Sequence, residues 1–325
     1  MKKINLTPEK KQALLRWLVR LVGILLLLFF LWKLDLNPTK ILDDLLHANG
    51  WLVGFSVVLG FPLIGLKTWR WQVILRDLGM ELSFGTAYRL YSVGLAAGSF
   101  TPGQAGDAIK AWYLRDMGYP LGAALVSIVL DRLFDIALLL LLAAGSILFL
   151  GTAFAGELPA LLVLLGGTAA ALLVFSIPTW RTWLIDFTLK LLLRRKAQKQ
   201  GDSALEAEES QAVQQLRPVN FLPVFGSTLL ATALVLFRVW LLALALDMNL
   251  TILQVVAVSS LATAVSLIPV SVGGIGTRDV TLVGILAKLG YAAEKAVSLS
   301  TLILLLNLVN LVAGYAIWAT RPKMD

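Results

Sequence analysis

Residues 269–279 (PVSVGGIGTRD) lie between two strongly apolar runs, 252–268 and 280–289. A proline, three glycines, an arginine and an aspartate have no place in a lipid-facing helix. Irregular backbone at membrane depth persists only where protein buries it or where it lines a water-filled cavity. Broken helices of this kind mark substrate sites in transporters. Thr277 is expected to cap a new helix running from Arg278 to about Gly290. Such a helix spans only ~18 Å at 1.5 Å per residue, short of the ~30 Å hydrocarbon core. It is a half-helix, and its N-terminus points at something.

The same device occurs a second time. Residues 99–107 (SFTPGQAGD) follow the apolar run 82–98 and open a short segment, 108–115. Thr101-Pro102-Gly103-Gln104 reads as a capping box with proline at the first helical position. Each short segment ends near a Gly-Tyr pair, Gly118-Tyr119 and Gly290-Tyr291, and each pair leads into a long apolar run. Matching Gly/Pro-interrupted hydrophobic segments point to a binding site in a repeat-built transporter.

Composition sets the class. The 325 residues are 58% hydrophobic, with a mean hydropathy of +0.82, which excludes an ordinary soluble globule. The net charge of +8 could suggest nucleic acid, but the basic residues cluster at the ends of apolar runs. That placement marks topology and lipid headgroups, not nucleic acid. The chain has no cysteine, and its single histidine, His47, falls in a polar stretch. Neither a metal site nor a cofactor is expected.

Taken in order, residues 1–20 carry six lysines and arginines ahead of the run 21–32, which reads as a retained anchor with a cytoplasmic N-terminus. Residues 51–69 return inward and end at Lys67, Arg70 and Arg76. The first broken hairpin is 82–115. Spans at 121–150 and 158–178 follow, then a polar cytoplasmic loop at 181–218. A span at 221–246, the second hairpin at 252–290 and a last span at 297–318 complete the chain. Re-entrant hairpins place every strong basic cluster in the cytoplasm, as the positive-inside rule requires. The expectation is an all-α polytopic membrane bundle of about six full spans. Its two re-entrant helical hairpins form an inverted pseudo-repeat, their tips meeting near the midplane, within a single domain over residues 1–325.

Charges inside apolar segments nominate the site. Asp131 and Asp135 share one helix face, with Arg132 beside it. Each such charge costs about 2.5–3.5 kcal/mol at the bilayer centre when unpaired. The three therefore either neutralise one another and pin helices together, or bind a headgroup or proton. Arg278, in the first turn of a half-helix, implies a nearby anion, either Asp279 or a phosphate. Arg238 is expected to pair with Asp247 or to reach outward. Asp107 suits a helix N-terminus by dipole alone. The candidate substrate-binding set comprises Gly273, Gly274, Gly276, Thr277, Arg278 and Asp279 from the second tip. The first tip adds Thr101, Gln104, Gly106, Asp107 and Lys110. Asp131, Arg132 and Asp135 come from the long span, with Arg89 and Arg238 from others.

These residues resemble the flippase-like transmembrane family. Its best-known member is the membrane part of lysylphosphatidylglycerol synthase, the multiple peptide resistance factor. The matching stretches are Pro102 through Asp107 with Lys110, the Asp-Arg-x-x-Asp of residues 131–135, and Pro269 through Asp279. Gln104 stands where the family usually has a basic residue, and Asp279 where glutamate is common. The resemblance implies transbilayer movement of a phospholipid or lipid-linked sugar in the cell membrane, without chemical conversion. It also implies a stand-alone member lacking the aminoacyltransferase domain. Two other classes remain open. One is a lipid-headgroup-modifying enzyme using Asp107, Asp131, Asp135 and Asp279. The other is a non-transporting partner that docks a glycosyltransferase through residues 181–218, and a homo-oligomer is also compatible.

Overall fold

The computed structural model describes residues 36–99, 101, 104–151, 159, 166–167, 170, 220–267 and 276–319. The expected first span, most of the span at 158–178, the loop at 181–218, and Gly273 and Gly274 lie outside these residues. Every regular element among the described residues is helical.

Helix α1 (Pro38–His47) starts at Asn37, whose side chain accepts the Thr39 amide at 3.0 Å. Helix α2 (Gly50–Val58) is capped in the same manner by Asn49. Helix α3 (Gly60–Asp77) continues it past a break at Leu59. Pro62 explains the break: its nitrogen has no hydrogen, and its ring crowds the carbonyl of residue 58. The helix runs on past Trp69, where the sequence suggested an end. Arg70 therefore lies within the helix and is buried.

The first hairpin is α4 (Phe84–Ser99), a 3₁₀ turn at Ala105–Ala108 and α5 (Ile109–Asp116). The long helix α6 (Leu121–Phe149) follows. The second unit repeats this order with α7 (Phe221–Ala245), α8 (Ile252–Ser266), α9 (Thr277–Lys288) and the long helix α10 (Ala293–Ala319). Helix α8 opens with a true capping box, Thr251 and Gln254 bonding reciprocally.

Packing between the units is reciprocal. Helix α4 packs on α10, the long helix of the other unit, and α8 packs likewise on α6. Each second arm, α5 or α9, packs on its own long helix, and α3 packs on α7. The hairpins thus lean chiefly on the long helices, not on each other.

The sequence carries the same repeat. Leu78-Gly79-Met80-Glu81-Leu82-Ser83 matches Leu246-Asp247-Met248-Asn249-Leu250-Thr251. Gly79 and Asp247 both take positive φ, at 78° and 54°, and the amides of Met80 and Met248 then bond back to the preceding helix. Gly118 (φ 92°) and Gly290 (φ 86°) end α5 and α9 with identical back-bonding by Tyr119 and Tyr291. Each methionine is buried in its own unit's core. Met80 lies with Trp71, Leu90 and Leu114, and Met248 with Leu242, Leu286 and Leu299.

The helices at Gly50–Asp77, Phe221–Ala245 and Ala293–Ala319 are long and apolar enough to cross a membrane. Their outward faces keep Trp51, Leu222, Leu230, Val312 and Trp318 exposed. A water-soluble surface seldom carries so many, and a bilayer accepts them without penalty.

Candidate functional site

The first hairpin's break is built by hydrogen bonds within a few residues. The Thr101 hydroxyl accepts the Gly106 amide at 2.6 Å, and Gln104 takes a left-handed conformation, φ 57°. The expected capping box is absent. The Gln104 side chain reaches across to Arg132 instead of back to Thr101. A Cβ on Gly106 would overlap the Ala97 backbone, and one on Gly94 would overlap the side chains of Asp107 and Lys110. Both glycines let α4 pass close enough for Asp107 to be enclosed.

Asp107 is 2% exposed and held by two cations. Arg132 approaches Oδ2 through Nε and Nη2, each at 3.0 Å. Lys110 Nζ lies 2.9 Å from Oδ1, though off the line of a hydrogen bond, so the contact is an ion pair without full directional satisfaction. The same ammonium sits 4.4 Å from the Tyr91 ring centroid and 4.8 Å from that of Trp71, inside cation–π range.

Tyr91 carries the network onward, donating its hydroxyl to Asp131 Oδ2 at 3.0 Å. Asp131 receives Arg70 Nε at 2.8 Å, and its Oδ1 lies 2.7 Å from Nη2. Arg70 also donates from Nη2 to the Asp131 carbonyl, and from Nη1 to Asp135 and to the Thr228 hydroxyl of α7. Lys67 closes the chain on Asp135 at 2.9 Å. Arg70 and Asp131 are wholly buried, whereas Lys67, Asp135 and Arg132 keep roughly a fifth to a quarter of their side chains open.

Two sequence-based expectations change here. The acids 131 and 135 are not neutralised by Arg132, which turns to Asp107. A residue one position along projects about 100° around the helix, so Arg132 cannot serve the face it adjoins. The cations that do neutralise them, Lys67 and Arg70, carried no sequence signal beyond a basic cluster at a span's end.

At the second break the described residues resume at Gly276. Gly276, at φ 95°, and not Thr277, is the N-cap, and Thr277 is the first residue of α9. Asp279 turns back to accept the Gly276 amide at 3.0 Å and takes the Ser300 hydroxyl of α10. Arg278 folds onto its neighbour, donating to Asp279 Oδ1 from Nη2 at 2.8 Å and from Nε at 3.2 Å. Asp107 precedes Gly118, and Asp279 precedes Gly290, by the same interval, so the two buried acids are counterparts.

Arg238 does not meet Asp247, which is exposed in the turn after α7. Its Nε donates to the Ser56 carbonyl at 2.7 Å, and the Ser56 hydroxyl donates to the Arg238 carbonyl at 3.1 Å. Arg89 lies on the exposed face of α4 and joins neither cluster. Among the described residues no group of His, Cys, Asp and Glu could hold a metal ion.

The chain is 24% identical to a UPF0104 membrane protein of Methanothermobacter thermautotrophicus over 76% of its own length and 78% of the relative's. It is 22% identical to a UPF0104 membrane protein of Pyrococcus horikoshii over 95% and 98%. A shorter stretch, 39% of this chain and 20% of the other, is 29% identical to the glycosyltransferase AglD of Haloferax volcanii. The family model described as the lysylphosphatidylglycerol synthase TM region matches residues 17–314, through both hairpins and both long helices. With a match of that extent, the chain belongs to the family of the lysylphosphatidylglycerol synthase transmembrane region.

Proposed function

We propose that this membrane protein binds a lipid through its anionic headgroup at the first hairpin's break and moves it across the bilayer without converting it. One observation carries the reading: among the described residues of the cluster, the cations Lys67, Arg70, Lys110 and Arg132 outnumber the carboxylates Asp107, Asp131 and Asp135 by one. An excess positive charge in a low-dielectric interior is costly unless an anion meets it. At an effective dielectric of 20, one opposite charge at 4 Å recovers about 4 kcal/mol. Of the two cations with an open edge, Lys67 and Arg132, Arg132 lies at the hairpin's break, with 24% of its side chain exposed.

In this reading the hairpins re-enter from opposite sides within about six spans, an arrangement typical of alternating-access transporters. The protein sits in the cell membrane with both termini cytoplasmic. Arg132 and Gln104 hold the phosphate, with the buried Lys110 behind Asp107 adding its charge, and Arg278 with the first turn of α9 offers a second contact. The charge excess fits a phospholipid or a lipid-linked sugar equally.

The test is translocation of fluorescent phosphatidylglycerol in liposomes, read by loss of the outer-leaflet signal to a reductant. The purified chain should accelerate exchange over protein-free vesicles. Arg132→Gln removes hydrogen bonds to a charged group worth about 1.5–3 kcal/mol, so binding should weaken about 10- to 150-fold. Exchange no faster than in empty vesicles, together with no measurable lipid binding, refutes the proposal. The stretch shared with AglD favours one second reading, a lipid-handling partner for a glycosyltransferase. Recovery of such an enzyme on the native protein, lost on deleting residues 181–218 with lipid binding intact, supports that second role.

A further inference from the structure

The two units match closely enough to expose one shared charge whose partners differ. Arg70 precedes Met80, and Arg238 precedes Met248, by the same interval, so the two buried arginines are counterparts. Their surroundings correspond as well. Thr228, the hydroxyl partner of Arg70 on α7, precedes Met248 by the interval that separates Gly60 from Met80. A Cβ on Gly60 would lie 3.1 Å from Arg238 Nη2, so each arginine reaches the equivalent point on the opposing helix. Where the first unit has a hydroxyl, the second has a glycine with the guanidinium packed against it.

The long helices differ more sharply. Asp131 and Asp135 follow Gly118 as Ile303 and Asn307 follow Gly290. Arg70 is saturated: its Nε, Nη1 and Nη2 all bond to Asp131, Asp135 and Thr228. Arg238 is 5% exposed and has no carboxylate partner among the described residues. Its hydrogen bond there runs from Nε to the Ser56 carbonyl. The nearby polar atom is an amide oxygen, Asn310 Oδ1, 3.1 Å from that same Gly60 point. A guanidinium stays charged at any physiological pH, and a buried one without a counter-ion calls for an anion.

We propose that Arg238 is a binding residue for an external anionic oxygen group, the phosphodiester of a lipid headgroup, at the junction of α2, α3, α7 and α10. The site is built like the Arg70 site with the internal carboxylates left out. A planar guanidinium whose Nη atoms make no hydrogen bond to a described residue presents the fork that takes two phosphate oxygens. The inference rests on the lipid-binding reading above but concerns a site separate from Arg132.

The test supplies the missing counter-ion from within. Asn310→Asp places a carboxylate near Arg238 while keeping the arginine, so it should expel the external anion and leave the fold intact. Binding of dioleoylphosphatidylglycerol and of inorganic phosphate is measured on the full chain in dodecyl maltoside, which carries no phosphate. Native mass spectrometry counts bound lipid, and thermal melting reports stability. Asn310→Asp should weaken phosphatidylglycerol binding at least tenfold, with a lipid-free melting point equal to or above that of the native chain. Arg238→Gln should weaken binding comparably, and Arg238→Lys less, since lysine keeps the charge but not the fork. Inorganic phosphate that binds and is lost in the same variants supports the site as one for free phosphate too. Phosphate that fails to bind restricts it to the lipid. Native affinity in Asn310→Asp and Arg238→Gln, with affinity lost in Arg132→Gln, overturns this inference and leaves the first reading standing. No lipid binding by the native chain defeats both.

Discussion

Removing Arg70 while leaving its acids in place should be among the most damaging single changes to this protein. Arg70→Met keeps most of the side-chain volume but strips Asp131 of its Nε and Nη2 contacts, leaving only the Tyr91 hydroxyl. Asp135 keeps Lys67. One carboxylate at 0% exposure is then uncompensated, and breaking a buried pair from one side costs about 3–5 kcal/mol. The melting point in detergent should fall by roughly 10 °C, on the scaling for domains of comparable size. Asp131→Asn alone should cost less, because Arg70 retains Asp135 and Thr228. Combining the two removes both charges of the pair, so the double variant should be more stable than the sum of single effects by about 2 kcal/mol or more. Reversible denaturation of all four proteins gives that coupling directly. Additivity to within about 0.5 kcal/mol, or a loss below about 1 kcal/mol for Arg70→Met, would show that the pair behaves as a solvated surface bridge.

Three further outcomes follow from the same geometry. Gly106→Ala drives a methyl group into the Ala97 backbone, so the first hairpin must open and both lipid binding and melting point should drop; unchanged melting would contradict the tight crossing of α4 over the 3₁₀ turn. Arg278→Ala leaves Asp279 with the Gly276 amide and the Ser300 hydroxyl, so it should destabilise less than Arg70→Met while weakening lipid binding; normal lipid affinity would remove Arg278 from the site. Cysteines at Ala48 and Ala204, the only thiols in a chain that has none, should label from opposite sides of the membrane; labelling of both from one side would refute the proposed topology.

What the sequence disclosed and what it concealed have distinct physical causes. The hairpins were legible because glycine and proline in an apolar run have few structural excuses, and both pairs of arms appear as helices packed on one another. The acids at 131 and 135 were legible because an i, i+4 spacing places them on one face. Their partners were not. Lys67 and Arg70 stand where a span of average length would end, and basic residues there normally mark the cytoplasmic rim. Only the length of α3, which continues to Asp77, carries Arg70 into the interior. The cap of α9 shifted by one residue because glycine at positive φ could take the position that Thr277 was expected to fill.

A signal for the whole charge pattern did exist, in the paired Leu-x-Met-x-Leu-Ser/Thr turns before each hairpin. Aligned on those turns, Arg70 falls on Arg238; aligned on the glycines that end α5 and α9, Asp107 falls on Asp279 and Asp135 on Asn307. Features that match between the units are the ones a shared fold requires: a buried arginine on the third helix from each long one, an acid at each break, a left-handed residue at each turn. Features that differ are relieved of that duty. Asp131, Asp135 and Lys110 occur in one unit only, and there they lock α3, α4, α5 and α6 into a single ionic network. In the second unit, Asp279 at the break takes the Arg278 guanidinium, the Gly276 amide and the Ser300 hydroxyl. A network that must be broken to move is rigid, whereas an ion pair carried on one helix moves with that helix. If one hairpin shifts during lipid passage, the arithmetic of buried charge favours the second: displacing α9 carries the Arg278–Asp279 pair along with it and parts Asp279 from the Ser300 hydroxyl, while displacing the 3₁₀ turn and α5 parts buried Asp107 from Arg132. Hydrogen exchange should therefore be faster in α9 than in α5, and the reverse order would count against the second hairpin as the moving part.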